Sequence, residues 1–304
     1  MAVVGAGGVG SVFGGRLAAV GHEVWLVHRR REVVEALRRD GLRLETPDSS
    51  THVAVHATDA TREVGPVDLV LILTKSTDTR AAAESARCLV ATHTLVVTLQ
   101  NGLGNLETIA EVLGDQRTLL GMTYVGVALL GPGHARLTAA GKSFVGEPNG
   151  TRTERIEHLA QSLSTAGLPT EATDGPWDMV WGKLVINAAL NATCALTGAT
   201  GESALRSAAA YDLLGLVAEE TAAVAAALGI RLPYADPAAR VRQHCRDVGP
   251  SKPSMLQDVE RGRPTEIEAI NGAVVREGRR LGVPTPYNEA LLLLVRAREQ
   301  LSGR

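Results

Sequence analysis

Near its N-terminus the sequence reads Ala2-Val3-Val4-Gly5-Ala6-Gly7-Gly8-Val9-Gly10. The first three residues have the apolar character of a buried strand, and Gly5, Gly7 and Gly10 have the spacing GxGxxG. In a strand–turn–helix unit the first glycine allows a tight turn, the second lets the backbone approach a pyrophosphate, and the third lets helix and strand pack closely. N–H groups at the start of the helix then face the phosphates. The stretch therefore predicts a dinucleotide-binding loop made of Gly5, Ala6, Gly7, Gly8, Val9 and Gly10.

The segments that follow alternate between strand and helix patterns. Strands separated by helical spacing predict right-handed βαβ units and a parallel sheet. The strand-like runs are residues 2–4, 23–27, 68–73 and 94–98, and the helical runs between them are residues 10–20 and 77–89. Further strands, expected to extend the same sheet, are predicted at residues 42–45, 52–56, 118–127, 135–138 and 143–145.

From about residue 176 the pattern changes to long stretches rich in Ala and Leu. Their apolar residues recur at intervals of three and four, which is the helix period. Helices are predicted at residues 177–193, 211–228, 237–246, 265–281 and 288–301. We therefore predict an α/β chain with an N-terminal Rossmann-type, doubly wound dinucleotide-binding domain at residues 1–174, followed by an all-helical domain at residues 175–304.

Composition narrows the classes of partner. The chain has 304 residues, of which 31 are Lys or Arg and 33 are Asp or Glu, so its formal net charge is −2. This balance, with only 3% aromatic residues, argues against a nucleic-acid partner, which would call for a basic surface and rings that stack on bases. A length near 300 residues suits two domains that need no disulfide or metal for stability.

The cysteines and apolar runs indicate the compartment. Cys88, Cys194 and Cys245 are odd in number and far apart, so they form neither a disulfide framework nor a four-ligand zinc site by themselves. We expect reduced thiols and no metal. The sequence has no signal-peptide pattern, and no uninterrupted apolar run approaches the roughly 20 residues that span a bilayer. A cytoplasmic protein without a membrane partner is the expectation.

The end of the second predicted strand bears on the choice of dinucleotide. NAD-binding members of this fold carry an acidic residue about 20 positions after the glycine motif, where it accepts a ribose hydroxyl. Here the strand ends in His28-Arg29-Arg30-Arg31. An arginine at this place can pair with the 2′-phosphate of NADP(H), and Arg29 is the first candidate. The alternative is a solvated helix start with spare positive charge, and the sequence does not decide which of the three arginines contacts the phosphate.

Two polar residues follow later strands of the predicted sheet. Lys75 comes after the strand at residues 68–73, and Asn101 comes after the strand at residues 94–98. Ligands of doubly wound sheets bind outside the carboxyl ends of the strands, so both side chains are candidates for contact with cofactor or substrate. The alternatives are an ordinary surface lysine and a plain Asn-Gly turn at Asn101-Gly102.

A polar stripe in the helix at residues 177–193 is the main catalytic candidate. Lys183, Asn187 and Asn191 are spaced by four residues, so they lie in one stripe of an otherwise apolar helix. An ammonium can stabilise the negative charge that develops on a ketone oxygen during hydride transfer and can donate its proton. The two amides can hold carboxylate and hydroxyl groups of a substrate. The alternative is that the stripe faces water or caps neighbouring chain.

A third polar cluster lies near the C-terminal end. It comprises Ser254-Met255-Leu256-Gln257-Asp258 and, after Pro264, Thr265-Glu266-Ile267-Glu268 with Asn271-Gly272. Thr265 and Glu266 are predicted to begin a helix, where a carboxylate also suits the helix dipole. Taken alone, Glu266 is therefore better explained as a helix-start residue than as a catalytic one.

Together these motifs resemble the ketopantoate reductases (2-dehydropantoate 2-reductases). The resemblance covers nearly the whole chain, and the order and spacing of the motifs are more specific than any one of them. It implies an N-terminal Rossmann domain that binds NADPH, an all-helical C-terminal domain, and a substrate site between them. Thr200 departs from the pattern, because some members carry an asparagine before the Gly-Glu pair.

The resemblance also implies roles for single residues. Lys183 looks like the proton donor, and Asn101 matches a residue that touches both cofactor and substrate. Glu266 and Lys75 match residues beside the cofactor and the reacting centre, which raises Glu266 to a catalytic candidate. The positions that match substrate-binding residues are Asn187, Asn191 and Ser254, together with Asn101 and Lys183.

The leading hypothesis is therefore an NADPH-dependent reduction of 2-dehydropantoate to pantoate, a step of pantothenate and coenzyme A biosynthesis. One alternative keeps the chemistry but changes the substrate to another 2-oxo acid or ketone. A second is a catalytically silent NADP-binding regulatory module, against which Lys183 and Glu266 argue, because a sensor needs no proton donor. The sequence leaves open the natural 2-oxo acid and the oligomeric state, a homodimer included.

Overall fold

A computed structural model describes residues 1–46 and 49–302 of the chain. Its contacts divide the chain into two compact units. Unit 1 comprises Met1–Gln100 and Asn105–Pro176, and unit 2 comprises Asn101–Gly104 and Trp177–Arg304. The short segment Asn101–Gly104 therefore follows a strand of unit 1 in sequence but packs with unit 2.

Unit 1 is built on a mainly parallel sheet, as predicted. Its strands are β1 (Ala2–Val4), β2 (Trp25–Val27), β3 (Leu42–Glu45), β4 (Ser50–Val53), β5 (His56–Thr58), β6 (Leu69–Ile72), β7 (Leu95–Thr98), β8 (Thr118–Thr123), β9 (Gly126–Gly131), β10 (His134–Ala139), β11 (Ser143–Gly146) and β12 (Thr170–Ala172). The main sheet has the order β12-β11-β8-β7-β6-β1-β2-β5. Within it β8 and β11 pair antiparallel, and the other neighbours pair parallel.

Helices cover both faces of this sheet. They are α1 (Gly8–Ala19), α2 (Arg31–Asp40), α3 (Thr79–Ser85), α4 (Asn105–Leu113) and α5 (Glu154–Thr165). Successive strand residues point to opposite faces. Val3 and Leu71 accordingly join one apolar cluster, with α1 and α5, while Val4 and Ile72 join a second cluster, with α3 and α4. The predicted doubly wound α/β architecture is confirmed.

The prediction that all further strands extend the main sheet is wrong for residues 42–45 and 135–138, and for parts of residues 52–56 and 118–127. β4, β3, β10 and β9 form a separate sheet in that order. Its central pairing joins Arg43 of β3 to His134 of β10, which are about 90 residues apart in sequence. A pairing of this range leaves no local signal in either strand.

Two predicted strands are also each divided in two. Residues 52–56 belong partly to β4, in the second sheet, and partly to β5, which pairs with β2 through Trp25 and His56 in the main sheet. Residues 118–127 belong to β8 in the main sheet and to the start of β9 in the second. In both cases a short break lets consecutive strands enter different sheets.

Unit 2 is helical, as predicted. Its helices are α6 (Pro176–Thr197), α7 (Gly201–Ala204), α8 (Ala208–Ala227), α9 (Pro237–Val248), α10 (Ser254–Glu260), α11 (Asn271–Leu281) and α12 (Pro286–Leu301). By length and composition α6 is apolar enough to cross a membrane, which the sequence analysis did not expect of any segment. However, 78% of its apolar window is buried inside the structure, so α6 is a buried core helix.

The predicted start of the helix at residues 265–281 is wrong. Thr265 and Glu266 lie before α11, just ahead of the turns at residues 267–270, and the helix begins at Asn271. The physical reason is a long-range hydrogen bond. The carbonyl of Ala269 accepts the N–H of Leu103 at 2.9 Å, and the N–H of Ala273 bonds to Ile270 O, three residues back, rather than to Ala269. Glu266 therefore lies ahead of the helix, and its position cannot be explained by a helix dipole.

Candidate functional site

The glycine-rich loop of unit 1 is fixed by backbone contacts. The N–H groups of Gly5 and Ala6 both donate to Val27 O, at 3.0 and 3.1 Å, so the loop is attached to the end of β2. Gly5 has φ +103°, and a Cβ there would lie 2.6 Å from Thr74 N. A Cβ at Gly10 would lie 2.2 Å from Gly5 O. These two glycines are therefore required by the turn and by the helix–strand contact, as predicted.

The same loop borders a space in which a phosphate group can bind. A Cβ built on Gly7 meets nothing within 4 Å, so the backbone there borders open space. Gly7 is the N-cap of α1 and makes no side-chain cap, and the first turn of α1 carries no acidic residue. The first N–H groups of a helix have no partner within the helix and favour an anion. The pyrophosphate of a dinucleotide fits this arrangement.

Each arginine of the basic run after β2 is paired with a carboxylate. Arg29 Nη1 donates to Asp78 Oδ1 at 2.9 Å. Arg30 Nη1 lies 3.0 Å from Glu32 Oε1, and Arg31 Nε lies 3.0 Å from Glu35 Oε1. The arginines were predicted from the sequence, but Asp78 was not, because it follows a different strand, 49 residues further along the chain.

Lys75 follows β6 and precedes a single 3₁₀ turn at Ser76–Asp78. Its surrounding backbone is held by Gln100, whose Nε2 donates to Thr74 O at 2.9 Å and to Thr79 Oγ1 at 2.8 Å. Thr79 Oγ1 in turn donates to Asn105 Oδ1 at 2.8 Å. Gln100 thus connects the ends of β6 and β7, a role that was not predicted from the sequence, in contrast to the Asn101-Gly102 turn beside it.

In unit 2 the polar stripe of α6 begins at Lys183. Its Nζ donates to Asn101 Oδ1 at 2.7 Å. Burial lowers the pKa of Lys183 to about 8, and the negative charge of Glu266 opposes that effect. Glu266 itself is 6% exposed. The structure thus brings together Lys183, Asn101 and Glu266, three of the residues selected from the sequence.

Asn101 is positioned by its own short segment. Gly102 has φ +81°, and a Cβ there would lie 2.4 Å from Ala269 O. The next residue, Leu103, donates its N–H to the same carbonyl at 2.9 Å. The segment is therefore packed against the turn that carries Glu266. One close backbone contact positions both Asn101 and Glu266 with respect to Lys183.

The amide groups of the two stripe asparagines remain accessible. Asn191 is 5% exposed and Asn187 is half-buried. Within residues 1–46 and 49–302, neither side chain makes a hydrogen bond to another residue, yet neither has an unpartnered amide atom that is completely enclosed. Since a nearly buried amide is normally satisfied, Asn191 is suited to a polar ligand, and the half-buried Asn187 lies one turn away on the same helix stripe.

Ser254 and Thr200 lie outside this hydrogen-bonded group. Ser254 is the first residue of α10 and is exposed. Thr200 is the N-cap of α7 and forms a capping box with Ser203. The departure from the family pattern at Thr200 therefore has a structural role in this chain.

His244 of α9 was not predicted as a site residue, because no sequence motif includes it. Burial, together with the charges of Arg240 and Lys183, lowers the pKa of His244 to about 4, and the charge of Asp247 acts against them. The imidazole is therefore neutral near pH 7, in the electrostatic neighbourhood of Lys183.

A glycine-rich loop at the end of the first strand of a doubly wound sheet defines the class as a dinucleotide-binding protein of Rossmann type, here followed by a helical unit with a buried lysine-bearing helix. Comparison with known proteins agrees. A family model described as "Ketopantoate reductase PanE/ApbA" matches residues 1–150, and the model of its C-terminal region matches residues 177–299. The 2-dehydropantoate 2-reductase of Mesorhizobium japonicum is 33% identical to this chain, over 97% of this chain and 96% of that protein.

Solved structures give the same result. A PanE/ApbA family ketopantoate reductase from Ralstonia eutropha is 37% identical, has a TM-score of 0.92, and covers 100% of this chain and 99% of its own. The ternary structure of D-mandelate dehydrogenase with NADH and anilino(oxo)acetate also has a TM-score of 0.92, at 28% identity and with the same coverage. The chain belongs to the ketopantoate reductase family.

Proposed function

We propose that this chain is an oxidoreductase that reduces 2-dehydropantoate to pantoate with NADPH, a step of pantothenate and coenzyme A biosynthesis. The observation that carries the proposal is the Lys183–Asn101 hydrogen bond of 2.7 Å at a lysine whose pKa burial lowers to about 8. Relatives named 2-dehydropantoate 2-reductase that match nearly the full chain support the substrate.

Unit 1 supplies the cofactor site in this proposal. The loop from Gly5 to Gly10 holds the pyrophosphate, Arg29 holds the 2′-phosphate, and Lys75 contacts the cofactor further along the strand ends. Family membership and the NADH-bound D-mandelate dehydrogenase neighbours support a nicotinamide cofactor. When bound, the nicotinamide supplies a hydride to the carbonyl carbon of the substrate.

Unit 2 supplies the proton and positions the acid. As the carbonyl carbon gains a hydride, its oxygen becomes an alkoxide, and Lys183 Nζ donates a proton to that oxygen. Glu266 holds the lysine in its protonated form, and Asn101 orients the ammonium. Asn187, Asn191 and Ser254 hold the carboxylate and hydroxyl groups, because a misplaced carbonyl loses the geometry needed for transfer.

Three further features remain proposals. Residues 1–174 act as the NADP-binding domain and residues 175–304 as the substrate and catalytic domain. The protein works in the cytoplasm on a small 2-oxo acid, without metal, nucleic acid or membrane. The proposed assembly is a homodimer.

A second candidate is a reductase of a different 2-oxo acid. The observation that favours it is the similarity to D-mandelate dehydrogenase, whose solved complex holds NADH and anilino(oxo)acetate. The discriminating experiment measures kcat/KM for 2-dehydropantoate and for a panel of linear, branched and aromatic 2-oxo acids. We expect 2-dehydropantoate to be the best substrate, and a wide preference for any other acid would transfer the assignment to that acid.

The catalytically silent module is tested by the same assay. We expect NADPH oxidation that depends on a 2-oxo acid. Tight NADPH binding without turnover on any member of the panel would favour a regulatory role.

A further inference from the structure

The ion pair between Arg29 and Asp78 lies at the place assigned to the cofactor's 2′-phosphate. Arg29 follows the carboxyl end of β2, and Asp78 ends the 3₁₀ turn that follows β6. Nη1 of the arginine and Oδ1 of the aspartate are 2.9 Å apart, and the two side chains are 77% and 33% exposed. Since β1 lies between β2 and β6 in the sheet, the pair spans the strand from which the glycine loop begins.

Asp78 differs from the other carboxylates of the basic run. Glu32 and Glu35 belong to α2 and pair with Arg30 and Arg31 a few residues away, as helix-surface neighbours do. Asp78 instead reaches Arg29 from another strand end. The carboxylate that NAD-binding proteins carry on the second strand is thus absent there in sequence, but a carboxylate from the end of β6 lies beside Arg29.

We propose that Asp78 is a specificity-determining residue, which competes with the 2′-phosphate for Arg29 and thereby reduces the preference of this chain for NADPH over NADH. The proposal rests on the proposed use of a nicotinamide dinucleotide. A 2′-phosphate that pairs with Arg29 must displace the carboxylate or bind beside it, and two anions at such a distance repel each other. The adenosine ribose of NADH carries no phosphate at this position, so NADH binds without competing with Asp78 for Arg29.

The size of the effect follows from the exposure of the pair. An exposed ion pair contributes little, so competition changes the dissociation constant for the phosphorylated cofactor by about fivefold. This change is large enough to alter selectivity and too small to exclude NADPH. Asp78 acts through Arg29 and is not a catalytic residue.

The test compares binding of NADP⁺ and NAD⁺ by calorimetry in the wild type, in Asp78→Asn and in a control, Glu35→Gln. Both substitutions remove one negative charge from beside an arginine of the same run, but only the first frees Arg29. We expect Asp78→Asn to tighten NADP⁺ binding about fivefold without tightening NAD⁺ binding. Glu35→Gln should leave the ratio of the two dissociation constants unchanged.

A double variant tests whether Asp78 acts through Arg29. In an Arg29→Ala background, Asp78→Asn should no longer change the ratio. Weaker or unchanged NADP⁺ binding in Asp78→Asn, or an equal gain in Glu35→Gln, would overturn the proposal. These results leave the proposed function standing, whereas a wild-type protein that binds neither dinucleotide removes both.

Discussion

Lys183 is subject to two opposed influences. Burial lowers the pKa of its ammonium to about 8, and the charge of Glu266 acts against this. A general acid is most effective when its pKa lies near the working pH, because a large fraction is then protonated and the proton is still acidic enough to be transferred. The balance at Lys183 therefore suits a general acid at neutral pH better than an ordinary lysine would.

Replacing the lysine tests this role directly. Lys183→Ala should lower kcat for the 2-oxo acid by roughly 10² or more, because the alkoxide loses its proton donor. Lys252→Ala is the matched control, since Lys252 is an exposed lysine whose Nζ lies 2.6 Å from Glu260 Oε1. Steady-state kinetics with NADPH measure both variants, and near-normal turnover of Lys183→Ala would refute the assignment.

The direction of the pH dependence follows from the same pKa. The proposed proton transfer needs the protonated lysine, so kcat/KM for reduction should be constant below a pH of about 8 and fall above it. Oxidation of the alcohol needs the neutral lysine and should rise toward a plateau above the same pH. A profile of kcat/KM from about pH 6 to about pH 10, in both directions, measures the midpoint.

Variants of the turn before α11 show whether Glu266 sets that midpoint. Glu266→Gln removes the charge that raises the pKa of Lys183, so the midpoint should move to lower pH. Glu268→Gln is the control two residues away, because that carboxylate pairs with Arg296. Equal midpoints in wild type and Glu266→Gln would contradict the role of Glu266.

At the scale of elements, the segment Asn101–Gly104 illustrates what long-range contact adds to a sequence pattern. Asn-Gly is a favoured turn dipeptide, and the residues alone allowed nothing more definite. In the structure this turn packs against a distant backbone segment. Gly102, with φ +81°, approaches Ala269 O more closely than a residue with a side chain could. Asn101 is thereby held where Lys183 Nζ reaches it.

Two glycines of this segment provide a matched pair of variants. Gly102→Ala places a Cβ 2.4 Å from Ala269 O, whereas Gly104→Ala, at φ +90°, meets nothing within 4 Å. Both substitutions strain the backbone, but only the first must shift Asn101. We expect Gly102→Ala to lower kcat/KM by roughly 10- to 100-fold relative to Gly104→Ala. Equal activities would show that the close contact does not position Asn101.

A buried amide network connects the helices of unit 2. Asn271 Nδ2, at the start of α11, donates to Ala188 O of α6 at 3.0 Å and to Asn288 Oδ1 of α12 at 3.1 Å. Asn288 Nδ2 donates to Glu220 Oε2 of α8 at 2.9 Å. Asn271 and Asn288 are 0% exposed. The network fixes the helix that carries Lys183 at the turn between the two stripe asparagines.

Alanine variants of Asn271 and Asn187 should affect different properties, the first the free energy of unfolding and the second the KM for the substrate. Asn271→Ala leaves buried acceptors without their donor and should lower the free energy of unfolding by about 1–3 kcal/mol. Asn187→Ala loses no hydrogen bond to a described residue, so its unfolding free energy should change by less than about 0.5 kcal/mol while KM for the 2-oxo acid rises. Urea denaturation and steady-state kinetics measure the two effects. A loss of stability in Asn187→Ala, or a raised KM with unchanged stability in Asn271→Ala, would contradict these assignments.

At the scale of the whole molecule, local signals were predictable from the sequence and distant pairings were not. The strand, glycine loop and first helix are adjacent in sequence, so their pattern was sufficient. The Arg29–Asp78 pair, the β3–β10 pairing and the Lys183–Asn101 hydrogen bond join residues 49, about 90 and 82 positions apart. The wrong helix start at Thr265 has the same cause, because the bond from Leu103 to Ala269 crosses 166 residues. Only the family resemblance indicated which residues far apart in sequence belong to one site, and it gave no distances or hydrogen bonds between them.

Binding of the dinucleotide should stabilise the folded chain as a whole-molecule effect. A ligand that binds only the native state at about 100 times its dissociation constant adds about 2.7 kcal/mol to the free energy of unfolding. For a unit the size of unit 1, this corresponds to a rise in Tm of roughly 5–10 °C. Scanning calorimetry with NADPH, and with adenosine as the control, measures it in the transition in which unit 1 unfolds. Adenosine lacks the pyrophosphate that the N–H groups at the start of α1 are proposed to bind, so its effect should be much smaller. Equal shifts with the two ligands would mean that the glycine loop contributes nothing to binding.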